Sequence, residues 1–173
     1  KMLYVAVSTD TGCFAYANTT ANTHAVAAAL MAQEIPYREI NKRHFRTKSK
    51  KRMKLETILI QSLEELEGGK VVVGALSLAD MARVGAAEVD AEDIAAVLGQ
   101  IEGVKASATI RELRDGECKL SLRTDSSYLD ACAVCALLGG GGHKAAAGAT
   151  VKGDVAAARS AMAQAIRKVL HGD

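Results

Sequence analysis

The residues best able to do chemistry in this chain form one run: Gly139-Gly140-Gly141-Gly142-His143-Lys144-Ala145-Ala146-Ala147-Gly148. Four consecutive glycines lose much backbone entropy on folding and offer no side chain to pack. Such a run makes sense where the backbone takes positive φ, or where its own N–H groups come close to a ligand. Successive N–H groups form a concavity suited to an anion, and phosphate is the usual occupant. His143 adds a titratable donor at the rim and Lys144 a permanent charge. A plain helix C-cap followed by a flexible loop is the ordinary alternative, but such a cap needs one glycine. The run is not a P-loop, because Gly-Lys-Ser/Thr is absent. Nor is it a dinucleotide fingerprint, because a helical pattern precedes it rather than a strand.

Leu120-Ser121-Leu122-Arg123 lies upstream and has strand character. Ser121 and Arg123 are two apart, so they share one face of a strand. With Leu120 and Leu122 turned inward, that face looks towards the glycines or towards solvent. Arginine grips phosphate through two parallel bonds, which lysine cannot do. Arg111 and Arg114 belong to the preceding strand-like segment and can converge on the same place. A solvated arginine on a sheet face is the competing reading.

The third candidate is Asp10, the only acid in the first 33 residues, set directly after an apolar run in Asp10-Thr11-Gly12-Cys13-Phe14. A turn residue is one reading, because Asp-Thr-Gly suits turns. Asp-Thr-Gly is also the motif of aspartic proteases, which need two carboxylates sharing a proton. No second copy occurs, and the chain is rich in helical pattern, so that reading is set aside.

Together these stretches resemble the DHH-type phosphoesterases, which include nano-RNases that dephosphorylate adenosine 3′,5′-bisphosphate (pAp), cyclic-dinucleotide phosphodiesterases and the single-strand exonuclease RecJ. Gly139 to Gly148, with Leu120 to Arg123 upstream, is similar to the signature of their C-terminal, DHH-associated substrate domain. Asp10 to Phe14 is similar to the last metal-ligand motif of the DHH domain itself, departing from it with Cys13 where serine is common. The resemblance implies that Asp10 is a metal ligand in a two-Mn²⁺ site. It implies that Arg111, Ser121, Arg123 and Gly139 to Gly142 contact substrate. His143 is then a substrate contact with a candidate catalytic role, bonding a phosphate or helping a leaving oxygen. A carboxylate suits a hard divalent ion that activates water and neutralises phosphate charge. The implied ligands are short RNA or DNA oligonucleotides or small nucleotides, and a homodimer is compatible with them. No Asp-His-His occurs in the chain, which begins Lys1-Met2-Leu3. Beside the resemblance this reads as a fragment carrying the substrate half and one metal ligand, and inactive alone. A non-catalytic nucleic-acid-binding module, as appended to alanyl-tRNA synthetase, is the reading of another class; Asp10-Thr11-Gly12 argues against it.

The elements that must position these residues follow from pattern. Met2 to Val7 is apolar and too short for periodicity to separate helix from strand. Thr20 can N-cap an alanine-rich helix from about Ala21 to Gln33. Lys42 to Lys54 holds eight Lys or Arg in thirteen residues and no acid. That block reads as an interdomain connector, a phosphate-tracking surface or simply a solvated helix face. It runs into Leu55, Ile58, Leu59, Leu63 and Leu66 on one helical face, ended by Gly68-Gly69. Strands are predicted at Lys70 to Ser77, Val104 to Leu113, Glu117 to Thr124 and Ala149 to Val151, with a hairpin turn at Asp115-Gly116. Helices are predicted from Ser77 to Val84, Asp90 to Ile101, Asp130 to Leu138 and Asp154 to His171. The last turns Val155, Ala158, Met162, Ile166 and Val169 inward.

The fold class expected is α/β: a mixed β-sheet flanked by helices, preceded by a helical remnant of an upstream α/β domain and a helical linker. The expected divisions are 1–36 for the remnant, 37–69 for the linker and 70–173 for the substrate domain. The 173 residues are enough for one ordinary domain, and with six aromatics the core must be mostly aliphatic. A net charge of +2 is too small to imply nucleic-acid binding by field alone. The few rings also fit short substrates, since extended single-strand platforms rely on stacking. No apolar run approaches membrane-spanning length and no signal peptide opens the chain. Four cysteines then read as reduced thiols in the cytoplasm. Cys132-Ala133-Val134-Cys135 lacks nearby partners for zinc and reads as small core residues. His24, His44 and His171 read as incidental.

Overall fold

The computed structural model describes every residue except Ala17 and Asp173, with Asp115 described by its backbone alone. Two compact units divide the chain, residues 1–48 and residues 49–173. Their boundary falls within the stretch read as a linker.

The first unit is helical. The apolar run left open by periodicity is a helix, α1 (Met2–Asp10), and Asp10 ends it. Thr11 is buried and its Oγ1 donates to the Val7 carbonyl at 2.7 Å, while the Phe14 amide donates back to Thr11 Oγ1. Gly12, Cys13 and Phe14 then all take positive φ. Three such residues in succession are costly outside glycine, and they reverse the chain sharply behind Asp10. Thr20 caps α2 (Ala21–Met31) through a reciprocal pair with Thr23. α3 (Tyr37–Phe45) follows, and Tyr4 and Asn41 exchange hydrogen bonds between α1 and α3.

The second unit is a mixed sheet with helices against it. Among the described residues the strands form one sheet of six, in the order β1-β2-β3-β4-β6-β5. They are β1 (Glu64–Leu66), β2 (Val71–Leu76), β3 (Ala106–Glu112), β4 (Glu117–Thr124), β5 (Gly141–His143) and β6 (Ala146–Lys152). The β2–β3 pair is parallel and every other pair antiparallel. β2 is buried at all its residues, which explains its unbroken apolar sequence: a strand covered on both faces need not alternate. β4 alternates, with Cys118, Leu120 and Leu122 fully buried and Lys119, Ser121 and Arg123 on the other side. That alternation is the signature of a strand with one covered face and one open face.

The covered face packs on α6 (Ala131–Ala136) and α7 (Val155–His171). The buried positions of α7 are Ala158, Met162, Ala165 and Ile166, with Val155 and Val169 packed partly against the same core. On the opposite face a second cluster covers β2. It joins Leu55 and Leu59 of α4 (Lys50–Gln61), Val72 and Leu76 of β2, and Ala91, Ile94 and Leu98 of a chain of 3₁₀ turns. Gly74 is required there, because a Cβ would sit 2.8 Å from both Leu59 and Leu98.

Three expectations are corrected. The helix predicted to run on to Leu66 ends at Gln61, and 64–66 is edge strand β1. Ser62 causes the change of direction. Its hydroxyl bonds Leu59 O behind it and both the N–H and C=O of Ala75 ahead of it, delivering the chain to the edge of β2. The helix predicted over Asp90 to Ile101 is broken into 3₁₀ turns, because Asp93 takes φ 54° and cannot continue a right-handed helix. Arg114 lies in a 3₁₀ turn past the end of β3 rather than on the strand.

Candidate functional site

The antiparallel registers set the open face into rows. Thr109, Ser121, Gly148 and Gly141 are successive partners across β3, β4, β6 and β5. Ser107, Arg123, Ala146 and His143 make the next row, and Arg111, Lys119 and Thr150 the one on its other side. Partners directly across a sheet point to the same side. A strand-by-strand reading thus becomes a single surface carrying Arg123, Ser121 and Lys119 in the middle, with glycine and alanine beside them.

Over this surface lies a groove of about 630 Å³, floored by β4 and β6 and walled by Gly139 to Gly142. Ser121, Arg123 and Lys119 line it. His143 does not; it stands exposed two strands from Arg123, at the outer edge of their row. Adjacent strands lie about 4.8 Å apart, so His143 and Arg123 are about 10 Å apart at the backbone. Arg111 is also outside the groove. It is tied to Glu88, Nη1 to Oε2 2.7 Å, and lines a smaller neighbouring compartment.

The glycines act differently from a free anion-binding loop. The Gly139 amide donates to Ala136 O and the Gly140 amide to Cys135 O, closing the end of α6. Gly139 supports this with φ +75°. These two N–H groups are therefore spent on the helix cap. Gly141 to His143 then pair with β6 as edge strand β5, turning back through Lys144-Ala145. That turn is pinned from both sides, since Ala131 N and Thr124 Oγ1 both donate to Lys144 O. What the glycines supply is clearance. A Cβ on Gly140 would stand 2.1 Å from Gly148 O, and one on Gly142 2.6 Å from Ala146 O. Charge for an anion in this groove comes from the Arg123 and Lys119 side chains.

Lys119 went unsingled in the sequence, although it sits two residues before Ser121 on the same alternation. Arg52 was likewise only one of eight cations in the basic block. Its Nε donates to Glu56 Oε1 at 2.7 Å, and its Nη1 donates to the carbonyls of Asp90 and Glu92. It is a half-buried tie holding the 3₁₀ segment to α4, while Lys50, Lys51 and Lys54 are exposed. His24 stacks on Phe14 with centroids 5.2 Å apart, and His171 Nε2 lies 3.0 Å from Glu67 Oε2, so both have partners.

Asp10 belongs to the helical unit and is exposed. Asn18 Nδ2 donates to its Oδ2 and its carbonyl, at 3.1 Å each. Among the described residues no group of three or more His, Cys, Asp or Glu is placed to hold a metal ion. One carboxylate does not make a divalent-ion site, so these residues do not fit a complete two-metal centre. The four cysteines are unbridged. Cys135 is fully buried, and burial first, then the neighbouring Cys132, pushes its thiol up to about 11. That suits a packing residue and not a reactive one. Among the described residues no helix is long and apolar enough to cross a membrane.

The geometry can now be set beside known proteins. The DHHA1 domain family matches residues 68–171, which hold β2 to β6, the glycine run and α7. The bifunctional oligoribonuclease and PAP phosphatase NrnA of Thermus thermophilus is 33% identical over 166 residues, covering 95% of this chain and 48% of that protein. The probable bifunctional oligoribonuclease and PAP phosphatase NrnA of Streptococcus mutans is 27% identical over 149 residues, covering 86% and 47%. The chain thus spans about half the length of the curated relatives it matches. The crystal structure of an exopolyphosphatase-related protein from Bacteroides fragilis superposes with a TM-score of 0.85 at 23% identity, over 93% of this chain and 47% of that one. It shares the fold, a mixed sheet flanked by helices. On this match over more than half of its length, the chain belongs to the DHHA1 domain family.

Proposed function

We propose that this chain is the substrate-holding part of a phosphoesterase that hydrolyses short oligonucleotides or nucleoside 3′,5′-bisphosphates such as pAp. The observation that carries the proposal is the groove in which Arg123, Lys119 and Ser121 face a wall of glycines with no side chains. A cationic floor and a bare wall suit a phosphodiester flanked by sugars, which needs charge on one side and room on the other. The few lining cations suit one or two phosphates. The relatives' printed activities, oligoribonuclease and PAP phosphatase, agree with that chemistry.

In this reading Arg123 grips the phosphate, Ser121 donates to it, and His143 reaches it from the edge strand. Residues 1–36 close an upstream phosphoesterase domain, 37–69 connect, and 70–173 hold substrate. Asp10 contributes one ligand to a two-Mn²⁺ centre whose other ligands come from outside these residues. When bound, such ions activate water and neutralise phosphate charge. The setting is cytoplasmic.

The test is direct. Phosphate release from pAp and cleavage of a dinucleotide are measured with added Mn²⁺, beside binding of both by the wild-type chain, Arg123→Ala and His143→Ala. Binding that weakens in both variants without turnover supports a substrate half. Turnover by the chain alone overturns the division of labour. Neither turnover nor binding returns the sheet unit to a structural module.

A further inference from the structure

Beside the phosphate groove, and sharing Lys119, Ser121 and Arg123 with it, is a second compartment of about 270 Å³. Its floor carries Thr109, the partner of Ser121 in the β3–β4 register. Its wall is 91–95, where one 3₁₀ turn ends and the next begins. Thr109 is 2% exposed, and its Oγ1 has no hydrogen-bond partner. A buried hydroxyl left unpaired is destabilising, and native structures rarely keep one without a use. The wall is held in place deliberately. Arg52 ties down the carbonyls of Asp90 and Glu92, and Ser49 Oγ donates to Asp90 Oδ1 at 3.0 Å.

The charges say what the compartment takes. Arg111 is already neutralised by Glu88. Glu92 and Asp93 also line the compartment and offset the charge that Lys119 and Arg123 bring from the groove. Ile94 and Ala95 make the wall apolar beside them, and both are buried. A neutral, planar group with polar edges satisfies all of this. Its ring lies against the Arg111 guanidinium and the aliphatic wall, its N–H groups meet the carboxylates, and Thr109 bonds its inner edge. Arginine planes serve as stacking surfaces for bases, which matters in a chain so poor in aromatics.

We infer that this compartment is a nucleobase slot, receiving the base attached to the phosphate in the groove, and that it favours bases carrying an exocyclic amine over uracil. The inference rests on the phosphate-groove reading above. Thr109 and the Glu92–Asp93 wall then set which nucleotide is held, while Arg123 and Lys119 hold any phosphate.

Binding of AMP, UMP and ribose 5-phosphate to the whole chain separates the two ideas, by titration calorimetry with wild type, Thr109→Val, Asp93→Asn and Arg123→Ala. AMP is expected to bind at least tenfold more tightly than UMP or ribose 5-phosphate. Thr109→Val and Asp93→Asn are each expected to lose threefold or more of the AMP affinity, with ribose 5-phosphate unchanged. Thr109→Val also serves as its own folding control: it fills the same volume without the orphan hydroxyl, so its Tm is expected to hold or rise. AMP binding no better than ribose 5-phosphate, with Thr109→Val silent, overturns the slot and leaves the phosphate groove standing. UMP equal to AMP, both above ribose 5-phosphate, overturns the amine preference. No binding by any of the three, unaltered in Arg123→Ala, overturns the groove and the slot with it.

Discussion

One face of the sheet is used in two ways. Over β2 it is sealed: Val72 and Leu76 lie under Leu55, Leu59 and Leu98, and a Cβ on Gly74 would press on Leu59 and Leu98 at 2.8 Å. Over β4, β6 and β5 the same face is left bare, and the residues there are Lys119, Ser121, Arg123, Gly148 and Gly141. The backbone is continuous across the two halves. Cover is what differs. Where the apolar side chains of α4 and the 3₁₀ turns seal β2, the strand sequence is aliphatic. Where they stop, it turns to charge, hydroxyl and glycine. The proposed site is a stretch of sheet surface left unroofed, and β3 lies at the border, with Ser107 and Thr109 buried but polar.

The sharpest way to break the comparison is to remove the roof. Leu59 is fully buried against Gly74. Leu59→Ala is expected to destabilise the sheet unit by about 3 kcal/mol, since the cavity cannot close over a glycine. Arg123→Ala, on the bare half, is expected to change stability by less than about 0.5 kcal/mol. Its phosphate binding is expected to fall at least tenfold. Chemical denaturation and a phosphate-ligand titration on both variants check this. Equal stability losses would mean that the bare half carries structure after all.

Gly140→Ala comes next. Its Cβ meets backbone, Gly148 O at 2.1 Å, which cannot swing aside. A loss of about 2 kcal/mol is expected, as for overpacking. Exchange of the β5–β6 amides is expected to speed up more than that of the β2–β3 amides. Uniform acceleration would mean that the edge hairpin is not a separate weak point.

The face beneath the bare half offers a pH test. There Cys135 is buried under the sheet, its thiol raised from 9.0 to about 11. A thiol that ionises later when folded favours the folded state while it stays protonated. Its contribution is intact below about pH 9 and is lost as the pH rises from there through about 11. Cys135→Ala is expected to flatten this alkaline loss in a stability–pH profile. Unchanged slope in the variant would assign the loss elsewhere.

Much of this was readable from residues, and the failures share one cause. The β4 alternation and the inward stripe of α7 need only local period, and they were legible. So was the peculiarity of the glycine run. Its mechanism was not: the Gly139 and Gly140 amides go to Ala136 and Cys135, a contact set by how α6 ends. Strand β5 was invisible because Gly141-Gly142-His143 has no strand propensity, and only pairing with β6 makes it a strand. Arg52 looked like any cation of its block until the 3₁₀ carbonyls came to it. Thr109 carried no signal, because a hydroxyl is known to be unpaired only after its whole surroundings are known. Local patterns marked the elements and the open face; tertiary contact decided which charges are ties and which are free to meet a ligand.

The smallest expected stability effect tests the distinction between structural and functional glycine. Gly139 is held by positive φ, and Gly140 and Gly142 by close backbone. Gly141 has neither constraint: a Cβ there meets nothing within 4 Å. In an edge strand, replacing glycine by alanine narrows the unfolded ensemble, so Gly141→Ala is expected to be neutral or stabilising by about 0.5 kcal/mol. Yet Gly141 lines the groove, in the row of Ser121 and Gly148. A methyl at that position enters the space assigned to the ligand. Unchanged or raised Tm together with weaker nucleotide binding marks Gly141 as a glycine kept for clearance to a ligand. Unchanged binding would mean that the ligand runs closer to β4 than to the glycine wall, and that Arg123 and Ser121 alone define its path.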